Sequence, residues 1–122
     1  MERSVAGSAR VGEGTTLGNY VTIGENAVVG VGCVIGNNVV IHRDAVIGDN
    51  VRVDDNAVVG KMPMRAANSA VTKEQELPPA RIGSGCIIGT SAVLYRGCRV
   101  GEKVLVADLA TVRENVEVGD GT

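Results

Sequence analysis

A branched aliphatic residue returns at every sixth position over almost the whole chain. The first run is Val11, Leu17, Ile23, Val29, Ile35, Ile41, Ile47, Val53 and Val59; after an interruption it resumes as Ile82, Ile88, Leu94, Val100, Val106, Val112 and Val118. An amphipathic helix repeats about every 3.6 residues and a half-buried strand every two, so neither sustains this beat. A hexapeptide period predicts a parallel β-helix in which each unit is one short strand and one turn.

The remaining positions of the hexad give the physical reason. With the aliphatic as position one, position five is small or β-branched (Val21, Ala27, Cys33, Val39, Ala45), and strand alternation points it inward beside the next aliphatic. Position four is Gly, Asn or Asp in eleven of fifteen units, the residues that tolerate positive φ. A turn every six residues closes a triangular coil of three strands. A sandwich of short strands would need hairpin signals and uneven loops, and the chain has neither. The expected domain, residues 11–122, is about five coils and, at ~4.8 Å per coil, roughly 25 Å tall; residues 1–10 read as a tail. Residues eighteen apart then stack. Val11, Val29 and Ile47 define a first face, Leu17, Ile35 and Val53 a second, and Ile23, Ile41 and Val59 a third. The step from Val59 to Ile82 returns the chain to the first face, so Leu94 and Val112 continue the column of Val59.

The beat fails over 61–81, KMPMRAANSAVTKEQELPPAR, which holds all three prolines (Pro63, Pro78, Pro79) and six charged residues. Insertions in a solenoid collect on its working face. Residues 66–77 predict a short helix stopped by the proline pair. Position two, just past each aliphatic, is glycine all along the first face. On the third face it reads Gly24, His42, Gly60, Tyr95, Arg113. The single histidine therefore shares a ridge with a tyrosine and an arginine at the root of the inserted loop, His42 about 5 Å below that root.

Length and charge narrow the picture. The chain of 122 residues has one core to build, and a net charge of −2 with scattered signs gives no basic stripe for nucleic acid. No apolar run reaches membrane-spanning length, and MERSVAGSAR lacks a signal-peptide core, so the expected location is cytoplasmic, with no membrane partner. Cys33, Cys86 and Cys98 all occupy position five. Two of them share a corner but lie roughly 9–10 Å apart, beyond disulfide reach. They are expected to be buried structural thiols.

The units IGENAV, IGNNVV, IGDNVR and VGEKVL resemble those of the hexapeptide acyltransferases, which are left-handed parallel β-helices, and the resemblance runs over residues 11–122. Within that family the chain is most similar to bacterial transferases that acetylate an amine or hydroxyl of a sugar or sugar nucleotide. The resemblance implies acetyl-CoA as co-substrate, no metal, and a homotrimer with the site in a cleft between subunits, closed by a loop. It implies His42 as general base, for which an imidazole titrating near neutrality is suited. Backbone N–H groups of the ridge would hold the oxyanion, and Arg65, Asn68, Tyr95 and Arg113 would bind substrate, the arginines taking phosphate.

The repeat stops within a hexad at Thr122, after VGDGT and without a C-terminal cap. The expectation is a fragment, with end-to-end association covering the open coil. A non-catalytic scaffold module, or an inactive truncated transferase, is the competing reading. A γ-class carbonic anhydrase would need three histidines, and the threonines form no column of the kind an ice-binding face requires.

Overall fold

The computed structural model describes residues 2–64 and 76–122. Its strands are two to four residues long, pair in parallel, and form three sheets of six, six and five strands. On the third face Ile23 pairs with Ile41, Ile41 with Val59, Val59 with Leu94, and Leu94 with Val112. Ile82 pairs with Ile47 on the first face, so the chain re-enters where the spacing placed it. The architecture is a left-handed parallel β-helix of about six turns, slightly more than expected.

The N-terminal segment adds one strand, a third of a turn, to the sixteen units read from the sequence. Arg3–Val5, read above as part of a tail, pairs with Val21–Ile23, and Val5 sits opposite Ile23. Val5 lies six residues before Val11, so the beat begins one unit earlier, and Ala9 packs on the core as its position-five residue. Lys61 and Arg81, taken as loop ends, instead belong to the strands Val58–Lys61 and Arg81–Ile82. The helix expected over 66–77 lies outside the described residues except for Glu76 and Leu77, which are irregular.

Two backbone requirements generate the coil. Every one of the fifteen position-four residues is left-handed, with φ between 55° and 92°. Four of them (Tyr20, Ser91, Lys103 and Leu109) are neither Gly, Asn nor Asp, and each carries an intrinsic cost of roughly 1–2 kcal/mol. Position two is constrained by stacking: a Cβ on Gly12 would come within 2.6 Å of the Gly30 carbonyl one coil above.

The interior is aliphatic, and among the described residues no polar or charged side chain is buried. The three cysteines are buried and unpaired. Cys33 Sγ donates to the Gly48 carbonyl at 3.2 Å and Cys86 Sγ to that of Gly101 at 3.0 Å, while burial pushes the Cys98 thiol up to about 11. Two of the three corners are further tied by side chains at position three. There Asn37, Asp49, Asp55, Ser84, Asp108 and Asp120 accept the N–H of the equivalent residue one coil below, at 2.7–2.9 Å. At the third corner those positions are Glu25, Arg43, Arg96 and Glu114, and the tie between neighbouring coils is a different one, the Asn26 N–H donating to Ser8 Oγ at 3.0 Å.

Leu109 is 77% exposed, so its left-handed backbone is not offset by burial. Leu109→Gly is expected to raise unfolding stability by about 1 kcal/mol in urea titrations. Leu94→Ala, at a fully buried site, is expected to lower it by about 2–5 kcal/mol. A loss of stability in Leu109→Gly would contradict the corner geometry.

Candidate functional site

The third corner lies between the third-face strands and the first-face strands that follow them, and the chain departs from its repeat there. Val58–Lys61 pairs with Val93–Tyr95 through a register shift: Val59 faces Leu94, but Lys61 faces Tyr95, leaving Gly60 as the extra residue of a bulge. Gly60 has φ 88°, and a Cβ on it would stand 3.3 Å from the His42 Cβ directly below. Glycine at this point makes room for His42, a side chain at a ridge position that glycine fills on the first face.

His42 is half-buried at the turn after Val40–Ile41. It lines a cleft of ≈ 310 Å³ with Thr22, Val40, Arg43, Met62 and Arg96, edged by Gly24 and Gly60. Burial, and then the Lys61 ammonium, lower its pKa below the ordinary 6.5, so the imidazole is neutral at neutral pH. Among the described residues neither ring nitrogen has a hydrogen-bond partner. The side chain can therefore accept a proton from a group placed in the cleft.

The other residues singled out from sequence divide into two groups. Tyr95 and Arg113 share the ridge with His42 but do not line the cleft. Tyr95 is buried, with the Arg113 guanidinium carbon 4.1 Å and the Lys61 ammonium 5.3 Å from its ring centroid. Arg113 Nε also lies 2.8 Å from Glu114 Oε1. Arg65 and Asn68 lie outside the described residues. The oxyanion role expected of ridge N–H groups meets an obstacle. Those of Gly24 and His42 donate to the carbonyls of Ile41 and Val59 at 2.8 Å, as the stacking of coils requires, and the N–H of Arg96, one position past the ridge, donates to the Lys61 carbonyl at 2.8 Å.

Arg96 was not identified from sequence. Its Nε donates to the Leu77 carbonyl at 2.9 Å, and its Nη1 lies 3.2 Å from Asp44 Oδ2 and 3.4 Å from the Arg43 carbonyl. The signal was present in the repeat. Position three holds Asn, Asp, Ser or Thr in most units at the other corners, whereas here it holds arginine twice.

No family model and no curated protein matches the chain. Solved structures do. The UDP-N-acetylglucosamine acyltransferase of Francisella novicida aligns over 97% of this chain and 44% of its own, at 24% identity and TM-score 0.86. The acetyltransferase domain of PglB from Neisseria gonorrhoeae aligns over 98% of this chain and 49% of its own, at 19% identity and TM-score 0.76. The GDP-perosamine N-acetyl transferase of Caulobacter crescentus, solved as a histidine-to-alanine variant with CoA and GDP-perosamine, aligns over 98% of this chain and 48% of its own, at 20% identity and TM-score 0.51. The chain spans about half the length of each of these proteins. At this level of identity the shared property is the fold, and this chain has the left-handed β-helix found in the hexapeptide-repeat acyltransferases.

Proposed function

We propose that this chain is the β-helical part of a CoA-dependent acyltransferase that moves an acetyl group to an amine or hydroxyl of a sugar or sugar nucleotide. In this reading it works as a homotrimer whose neighbouring copy closes the cleft. The observation that carries the proposal is His42, a half-buried imidazole held below its ordinary pKa, whose ring nitrogens are unpartnered among the described residues. It lines a cleft at the interruption of a fold shared with acyl- and acetyltransferases.

The imidazole takes the proton of the attacking amine or hydroxyl as the new bond to the acyl carbon forms. The carbon–sulfur bond of the thioester breaks, and the proton passes to the departing thiolate. Val40 and Met62 give the cleft apolar walls that limit water. Arg43 at its edge, with Lys61 nearby, favours an acceptor that carries phosphate. Tyr95 and Arg113 act as the packed column against which Lys61 rests.

Replacing His42 by Ala in the full-length protein is expected to lower kcat by about 10²–10⁴-fold, with acetyl-CoA binding by calorimetry retained. Unchanged turnover would remove His42 from the chemistry. The same residue sets a pH dependence of stability. Its folded pKa is below the ordinary 6.5, so in the window beneath that value the unfolded chain binds more protons. The contribution is fully present above 6.5 and is lost as pH falls. Relative to His42→Gln, the wild-type protein is expected to lose Tm between pH 7 and pH 5. A constant difference across that range would contradict the burial of a neutral imidazole.

A further inference from the structure

The two limbs of the inserted segment and the turn that follows His42 meet at one residue. Through its backbone, Arg96 donates to the carbonyl of Lys61, the last residue of the strand that leads into the insertion. Through its side chain it donates to the carbonyl of Leu77 on the return limb. The same guanidinium reaches the Arg43 carbonyl and the Asp44 carboxylate, next to His42 in sequence. The Arg96 side chain is 15% exposed, and its guanidinium supplies several donors in a fixed plane, which a lysine ammonium cannot reproduce.

The surroundings are built to the same end. Leu77 is buried, and its Cδ2 would be 3.3 Å from a Cβ at Gly97, the neighbour of Arg96, so glycine there admits the leucine. Ala80 is fully buried in the core, which fixes the return limb at its far end. Asp44, at the left-handed corner position, offers its carboxylate two residues after His42.

We infer that Arg96 is a positioning residue that latches the return limb of the inserted segment onto the turn carrying His42, so that one side chain sets both the seat of the loop and the shape of the cleft. Its catalytic consequence rests on the function proposed above; the latch itself does not.

Hydrogen exchange separates the two. In Arg96→Gln, the peptides covering 42–46 and 77–82 are expected to exchange about tenfold faster, the worth of one hydrogen bond to a charged group. The second-face strand Ile87–Ile88 should be unaffected. Arg96→Lys should restore only part of the protection. Asp44→Asn removes the carboxylate while leaving the Leu77 contact, so it should loosen 42–46 more than 77–82 and decides the matter if Arg96→Gln does not fold. Unchanged exchange in both peptides would overturn the latch. In acyl-transfer assays Arg96→Gln should lower kcat about tenfold with little change in the KM for acetyl-CoA, and Arg96→Lys should recover part of it. Lost protection with wild-type kcat would overturn the positioning of His42. A wild-type protein without transferase activity would refute the proposed function while exchange still decides the latch.

Discussion

The spacing between stacked coils governs what this molecule can place on its surface. Successive turns are hydrogen-bonded one strand apart, and a Cβ at position two runs into the coil above, as at Gly12 against Gly30. Glycine fills the first-face ridge for that reason. The second-face ridge departs from glycine at Asp54 and Ala107, and the third at His42, Tyr95 and Arg113. At His42 a structural device makes the space. A bulge at Gly60 shifts the register, and glycine's lack of a Cβ there leaves the His42 side chain its space. The site exists where the stacking rule is relaxed.

The same corner exchanges one kind of polar tie for another. Elsewhere short carboxylates, amides and hydroxyls climb the corners as acceptors for the N–H groups below. At the third corner two of those positions are arginine, and Arg96 donates to backbone carbonyls and Asp44. A run of cations results: Arg43 and Arg96 in the cleft, and Lys61 and Arg113 over the Tyr95 ring. Burial, and then the Lys61 ammonium, disfavour a protonated imidazole, which keeps His42 available as a base.

Much of this was legible in the letters because the fold is periodic. Residues eighteen apart become vertical neighbours, so the column Ile41, Val59, Leu94 and the ridge of His42, Tyr95 and Arg113 followed from counting. The left-handed corners were signalled by Asn, Asp and Gly, and the period carried the inference past Tyr20, Ser91, Lys103 and Leu109, whose types argue against it. Val5 was missed because Arg3–Val5 precedes the regular glycine-bearing units, and only its six-residue distance from Val11 marks it. Arg96 was missed for a different reason. Its partner Leu77 lies in the inserted segment, where the repeat gives no count, although Arg43 stands two coils below it in the same position-three column. The occupied ridge N–H groups could have been foreseen, because coil-to-coil bonding uses the backbone donors of every regular unit.

The chain has one histidine, so its imidazole C–H signal can be titrated by NMR without assignment by mutation. A corner that buries His42 beside Lys61 requires a midpoint below 6.5 in the folded protein, rising toward that value when Lys61 is replaced by Met. A midpoint at or above 6.5, unmoved in Lys61→Met, would mean an imidazole in ordinary contact with water, and the site described here would lose its base.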